Sequence, residues 1–364
     1  MNILLFPRIL AKTGVGNHVV QLSDELIRQG HNVIVVSSSN DLSKLNNNVK
    51  FFNVDADTHN PVRLMKTIKQ LHNIVKDNKV DVVHCHHRVP AAIMHVYCLI
   101  YRKIPVVYTL HLSNVPCDFI HRVLSFGGDI NIGVSSDVSD FMINKLKFKA
   151  DTVITVCNGV NNPLLEGPIT SAEIDSIKHE WDIDRSKNVY VMHSRIDEIK
   201  NHLLVVEAVH RLPKDFRDNI IVVCSGTTSG DYYERVIAAI KDYAIEDNFR
   251  FVGWTSTRKI MSIADCLLAP SLNEGFLLTV AEAFMMHVLV ARSVTPGFDD
   301  QKYCLPISSN DPQDIIDLVC DINEYGLVKY SERITEAYDY ALKNFTVEAM
   351  THKTVDIYKK VCKR

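Results

Sequence analysis

The sequence predicts an α/β protein made of two doubly wound parallel units in tandem, and three observations carry that expectation. Short apolar runs such as Ile3 to Phe6, Val33 to Val36, Val189 to Met192 and Ile220 to Cys224 alternate with helically periodic segments along almost the whole chain. The alternation breaks once, after Asn158-Gly159, in an irregular stretch holding Pro163 and Pro168, and then restarts. With 364 residues the chain is also longer than one hydrophobic core normally supports.

In the first unit, Ile3 to Phe6 reads as a strand and Gly14-Val15-Gly16-Asn17 as a glycine turn. Val19, Leu22, Leu26 and Ile27 then recur at helical spacing up to Gly30, a C′ residue. After the strand Val33 to Val36, Leu64, Ile68, Leu71 and Val75 mark a second helix. Strands at Val80 to Val83, Pro105 to Leu110, Ile130 to Val134 and Val153 to Val156 complete the unit. Beyond the irregular stretch, Thr170 and Glu173 form a capping box for a short helix ending near Trp181. The second unit takes strands at Val189 to Met192, Ile220 to Cys224, Phe249 to Val252, Cys266 to Ala269 and Val288 to Ala291. Its helices carry Leu203, Val206 and Val209, then Val236, Ala239, Ile240 and Tyr243. Asp311 and Pro312 open a late helix as cap and N1 residue, and further helix runs from about Ser331.

Composition excludes several classes. With 46% apolar and 23% charged residues the chain reads as globular, and a net charge of −3 gives no global drive toward nucleic acid. Nine scattered cysteines without a Cys-x-x-Cys read as reduced core residues of a cytoplasmic protein. No segment reaches the roughly 18 apolar residues that span a bilayer.

Ligands of open α/β sheets bind at the carboxyl ends of the strands, so tandem units suggest an interdomain cleft. Glu274 and Glu282 lie eight residues apart across an expected strand–loop–helix junction that begins after Pro270. That spacing leaves Glu274 on the loop and sets Glu282 about 2.2 turns away, down the helix. Carboxylates grip hydroxyls, and a helix N-terminus near Leu278 would offer N–H groups to an anion. Arg195 and Lys200 directly follow a strand and precede a helix, two fixed cations suited to a diphosphate. Gly14/Gly16 and Gly226/Gly230 follow equivalent strands, where backbone can approach a phosphate closely. Neither pair fits Gly-x-Gly-x-x-Gly, and there is no Gly-Lys-Ser/Thr, which argues against dinucleotide and P-loop sites.

Together these residues resemble the retaining GT-B glycosyltransferases of family 4 over nearly the full chain. Gly14-Val15-Gly16-Asn17-His18 looks like the family's first glycine loop, Asp81 to His86 like its His-x-His strand end, and Thr109-Leu110-His111 like its inner histidine. Val134-Ser135, Asn158-Gly159-Val160, Arg195 with Lys200, and the Glu-x7-Glu pair Glu274 and Glu282 match further signposts. The resemblance implies a GT-B fold, two Rossmann-like domains facing a cleft. Residues 1–162 would bind the acceptor, 163–345 the nucleotide-sugar, and a C-terminal helix over 346–364 would pack back on the first domain. It implies a hexosyltransferase moving a sugar from a nucleotide-diphosphate donor, expected to be a UDP-sugar, to a sugar or lipid-linked hydroxyl acceptor in polysaccharide or glycolipid synthesis. His111 and Glu274 would act at the reacting sugar. Gly16, Arg195, Lys200, Gly275, Phe276, Leu277, Leu278 and Glu282 would hold the donor, with no metal and no cofactor. Leu277 stands where the family usually has glycine, so a positive φ there would be strained. His287 and Leu289 stand where Gly and Pro are customary.

Two decoys are set aside. Asp55-Ala56-Asp57 resembles a Mn²⁺-binding Asp-x-Asp, and His84-Cys85-His86-His87 could ligate zinc if further ligands converged. Two alternatives to transfer stay open: a GT-B sugar-nucleotide epimerase, which needs no acceptor, and a non-catalytic GT-B scaffold subunit. Finally, Arg63, Lys66 and Lys69 recur at intervals of three opposite the apolar stripe of their helix. Such a basic face fits peripheral contact with an anionic inner membrane surface.

Overall fold

Seven parallel strands organise the N-terminal part of the protein: β1 (Asn2–Phe6), β2 (Asn32–Ser37), β3 (Lys50–Asn53), β4 (Val82–Cys85), β5 (Val106–Leu110), β6 (Ile130–Gly133) and β7 (Val153–Thr155). Their order is β3-β2-β1-β4-β5-β6-β7, and every pairing is parallel. The structure is a computed structural model that describes residues 1–10, 14–38, 45–57, 60–101, 103–112, 115–118 and 125–363. Contacts divide the chain into one unit of Met1–Val160 with Asn344–Arg364 and a second of Asn161–Lys343.

The second unit holds β8 (Asn188–His193), β9 (Ile220–Ser225), β10 (Phe249–Phe251), β11 (Cys266–Ala269), β12 (Leu289–Ser293) and β13 (Leu305–Ile307). The order is β10-β9-β8-β11-β12-β13, again wholly parallel. Parallel strands are covered by helices on both faces, so their sequences are apolar at successive positions instead of alternating. β1 and β9 show this directly: Ile3, Leu4, Leu5 and Phe6 are fully buried, and Ile220 to Cys224 nearly so. In each sheet the strand order reverses once, between β1 and β4 and between β8 and β11. A crevice opens at the carboxyl end of such a switch point.

Local signals act as their chemistry requires. Gly30 has φ +80. The Gly30 and His31 N–H groups bond the Ile27 and Leu26 carbonyls at 2.9 and 3.0 Å, a Schellman end to the helix Gly14–Arg28. Thr170 and Glu173 form the reciprocal capping box of the helix Ser171–Glu180. The helix Gln313–Tyr325 starts one residue later than read, with Pro312 at its N-cap, while the Asp311 carboxylate still accepts the Gln313 N–H at 3.0 Å.

The structure departs from the sequence reading in places. β4 covers Val82–Cys85 rather than Val80 to Val83, because the Val80 N–H still bonds the Val75 carbonyl at 3.0 Å and so belongs to the preceding helix end. Gly14 and Gly16 lie in the first turn of a helix and not in a turn before it. β13 went unread, being three residues long with Pro306 at its centre. The helices Arg88–Ile100 and Ser136–Asn144 supply crossovers that the periodicity did not single out.

The last helix, Val347–Cys362, packs against Gly14–Arg28, β4 and β5 in the first unit. Thr346 caps it by accepting the Ala349 N–H at 3.1 Å. Backbone approaches closely at its start, since a Cβ on Gly159 would lie 2.5 Å from the Thr346 carbonyl oxygen.

Candidate active site

The loop after β8 carries Arg195 and Lys200. Asp197 shapes it by accepting the Lys200 N–H at 3.1 Å, capping the short turn Glu198–Lys200. Asn201 follows in the left-handed region at φ 57, and its amide donates to the Ser309 and Pro270 carbonyls at 2.8 and 3.3 Å. These bonds hold Lys200 over the edge of the sheet, where its Nζ lies 2.5 Å from Glu274 Oε1. The side chains of this ion pair are only 16% and 11% exposed, so solvent screens it little. Arg195 differs: its side chain is 65% exposed and meets Asp197 at 3.1 Å. The structure therefore brings Lys200 and Glu274 together and leaves Arg195 at the solvent edge of the same loop.

Glu274 sits on the loop after β11, across the switch point from Lys200. The Leu272 N–H donates to the Ile199 carbonyl at 2.8 Å, tying the two loops. Ser293 Oγ donates to the Ser271 carbonyl at 2.5 Å from β12. Gly275, Phe276 and Leu277 are buried. Leu277 has φ −81 and ψ 109, an extended conformation, so the strain anticipated for a left-handed residue there does not arise. Among the described residues no side chain caps the helix Leu278–Met285, whose N-terminal N–H groups point toward the loop end. His287, by contrast, does adopt φ 56 and stacks on Tyr338 at 3.9 Å between ring centroids.

A buried polar scaffold stands behind this loop. Arg292, wholly buried on β12, donates to Gln301 Oε1, to the Ser293, Gly297, Thr295 and Pro296 carbonyls, and to Thr295 Oγ1. Gln301 passes the connection on by donating to the Leu277 carbonyl at 2.7 Å. Gly297, at φ +83, lies so close that a Cβ would come within 2.5 Å of the Gly275 carbonyl oxygen. Gly226 plays a similar part under Arg195, its notional Cβ falling 2.1 Å from the Ser194 carbonyl oxygen.

Glu282 lies within the helix, with Thr257 Oγ1 donating to its Oε2 at 3.2 Å and His193 Nε2 3.3 Å beyond the same hydroxyl. Burial pushes the Glu282 carboxyl up to about 7, opposed by the Thr257 bond, and burial takes His193 down to about 4. A carboxyl whose folded pKa exceeds its unfolded value binds more protons folded than unfolded. Folding is thus penalised increasingly as pH rises from about 4.5 to about 7, and the penalty then levels off. Glu282→Gln should match the wild type near pH 4.5 and exceed it by about 2–3 kcal/mol above pH 7 in urea denaturation. An unchanged difference across that range would mean the carboxyl is not desolvated.

In the first unit, three strand-to-helix connections bring histidines together. His111 follows β5, His86 follows β4, and His18 lies in the helix after β1. Ring centroids are 4.9 Å apart for His18–His111, 5.3 Å for His18–His86 and 5.6 Å for His86–His111. Burial lowers His18 to about 4, and burial together with neighbouring histidines holds His86 and His111 well below the usual imidazole range. His84 takes a structural part, with Nδ1 at 2.6 Å from the Tyr358 hydroxyl and Nε2 at 2.7 Å from Thr109 Oγ1. Asp57 of the Asp-x-Asp pairs with Arg8 at 2.6 Å.

Sequence reasoning missed Arg292, Gln301, Gly297, Thr257 and His193 around the glutamates, and His18 beside His111. A polar residue inside an otherwise apolar strand, as in Leu289-Val290-Ala291-Arg292, is the one signal that was available.

Comparison with known proteins identifies the family and the fold. Residues 12–162 match the model of Glycosyltransferase Family 4, and residues 173–302 that of Glycosyl transferases group 1. The alpha-monoglucosyldiacylglycerol synthase of Acholeplasma laidlawii is 24% identical, the alignment covering 79% of this chain and 78% of that protein. A crystal structure of a glycosyltransferase from Rickettsia africae superposes with a TM-score of 0.87 at 21% identity, covering 100% of this chain and 99% of that one. Anabaena Alr3699/HepE, solved in complex with UDP-glucose, superposes with a TM-score of 0.82 at 15% identity, covering 99% and 100%. Two Rossmann-like units of this topology and these matches define the class, the GT-B glycosyltransferases. The chain belongs to the family 4 type within it.

Proposed function

We propose that this glycosyltransferase moves a sugar from a nucleotide-diphosphate donor, a UDP-sugar, to a hydroxyl acceptor with retention of configuration. The observation that carries the reading is the shielded Lys200–Glu274 pair at the switch point of the second sheet, beside an uncapped helix N-terminus. Lys200 and Arg195 neutralise the diphosphate and Glu282 takes the ribose hydroxyls. Glu274 with the Gly275, Phe276, Leu277 and Leu278 backbone holds the donor sugar. In the first unit, Gly16 approaches the phosphates and His111 serves the reacting sugar. The anomeric carbon–phosphate oxygen bond breaks, the acceptor oxygen bonds the same face, and the acceptor proton passes to the departing phosphate oxygen. The neighbour solved with UDP-glucose and the relative named for a glucosyl lipid support a UDP-sugar and a lipid-linked acceptor.

Incubation with UDP-glucose, UDP-galactose and UDP-GlcNAc and a diacylglycerol or glycolipid acceptor, followed by NMR of the product anomer, tests the reading. An α-linked product is expected. Epimerised donor without acceptor, or an inverted product, would overturn it. Because protein cations take the role a metal would fill, transfer should persist in excess EDTA. Loss on chelation with recovery on Mn²⁺ would count against the whole assignment.

The acceptor half of the proposal extends to a membrane surface. In the helix Pro61–Asp77, Arg63, Lys66 and Lys69 are exposed, as are Val62 at 79% and Met65 at 48%, while Ile68, Leu71, Ile74 and Val75 are buried. No helix among the described residues is long and apolar enough to cross a bilayer. Each cation near anionic lipid is worth up to about 1 kcal/mol. The protein should sediment with phosphatidylglycerol vesicles, less so in high salt, and lose binding when the three cations become Ser. Equal sedimentation with neutral vesicles would refute this.

A further inference from the structure

His18, His86 and His111 form a cluster that hydrogen bonding satisfies only in part. His18 and His86 are 5% and 1% exposed. Neither ring nitrogen of His18, nor Nε2 of His86, has a partner in good hydrogen-bond geometry among the described residues, although the Asn158 side chain lies close enough to His18 to favour its protonated form. Buried imidazole nitrogens without good partners are costly, and His18 carries that cost on both of its nitrogens. One ring nitrogen from each of the three lies within 4.8 Å of the others. His86 Nδ1 and His111 Nε2 share a hydrogen bond at 3.4 Å, which is also about the separation of two nitrogen ligands on a tetrahedral ion with bonds of ~2.0–2.1 Å, so an ion would take the place of the proton between them while His86 Nε2 stays outside the ligand set. Closing the remaining distance to His18 asks for a ring movement on the order of 1 Å, within reach of small χ adjustments. His84, whose nitrogens are both engaged, backs the cluster with its ring centroid 4.1 Å from that of His86.

We propose that His18, His86 and His111 bind a divalent transition metal of the zinc class, and that its occupation withdraws His111 from sugar transfer. Three imidazoles with an open fourth position suit Zn²⁺, Co²⁺, Ni²⁺ or Cu²⁺, whereas Mg²⁺ and Ca²⁺ require oxygen ligands. The site is thus inhibitory and separate from any metal requirement of the reaction. The inhibition rests on the role proposed above for His111; the binding does not.

Co²⁺ titrated into the purified full-length protein, stripped of metal, should develop the visible bands of a four- or five-coordinate site at one equivalent. Zn²⁺ should abolish these bands by displacement, EDTA should reverse binding, and Mg²⁺ should have no effect. His18→Asn and His86→Asn should each weaken binding by at least about tenfold, while His95→Gln, at an exposed position, should not. Should either variant fail to fold, the wild-type titration decides: no band, or a band that excess Zn²⁺ leaves intact, overturns the site. In the transfer assay Zn²⁺ should inhibit and EDTA restore the rate. Stoichiometric binding without inhibition would overturn the switch and the placement of His111 at the reacting sugar, while leaving the other donor contacts standing.

Discussion

Glu274→Ala and Lys200→Ala should each lower kcat/KM for glycosyl transfer by roughly tenfold to a thousandfold, a loss of about 1.5–4 kcal/mol of charge-assisted stabilisation. The two side chains form a shielded pair at 2.5 Å, so removing one strands the other's charge in a place water reaches poorly. Each single variant should therefore also lose about 1–3 kcal/mol of stability. The double variant should recover part of that stability and none of the activity, because the stranded charge is gone but the donor still lacks both groups. Circular dichroism and urea melts report the first quantity, and steady-state assays of folded protein the second. Wild-type rates in both folded single variants would displace the donor site from this end of the second sheet.

Arg292→Leu should be the most destabilising single change in the second unit, by about 3–5 kcal/mol. Its guanidinium donates to four carbonyls and two side-chain oxygens while wholly buried, and leucine removes every one of those bonds. A lysine cannot fan out to the same acceptors, so Arg292→Lys should recover only part of the loss. Calorimetry should show the transition about 10 °C lower for Arg292→Leu. Activity measured well below that transition should fall too, because Gln301 would no longer be held against the Leu277 carbonyl that fixes the loop carrying Glu274. A transition within a degree or two of the wild type would show that the buried guanidinium is dispensable.

The β-sheets were largely readable because a strand covered on both faces must be apolar throughout, and most of the strands announce themselves that way. Cys266–Ala269 is found to the residue. The strand at Leu305–Ile307 is too short, and too interrupted by Pro306, to leave such a trace. Arg195, Lys200 and Glu274 could be placed from the sequence because each falls within a few residues of a strand end, and Glu282 because helical spacing carries it down the helix that follows. The histidine cluster could not, since its members come from three connections far apart in sequence. Their meeting depends on β1, β4 and β5 being neighbours in one sheet. Of His84 to His87 only His86 joins the cluster, and the nitrogens within 4.8 Å of it come from His18 and His111, elsewhere in the sequence. Leu277 shows the opposite limit. A residue type alone suggested strain, but the backbone takes an extended path instead, which Gln301 secures from another element.

The return of the helix Val347–Cys362 to the first unit has a bearing on how the protein is made. The second unit is contiguous in sequence, whereas the first is completed by residues translated after the whole of the second. Met350, Tyr358 and Val361 from that helix belong to the same apolar core as Ile3, Leu22 and Val107. Until they emerge, the earliest-synthesised sheet keeps an apolar face uncovered, and His84 lacks the Tyr358 hydroxyl that occupies one of its nitrogens. Birth order and maturation order are thus reversed. The half made first finishes last, and during synthesis its unfinished core presents apolar surface of the kind that aggregates.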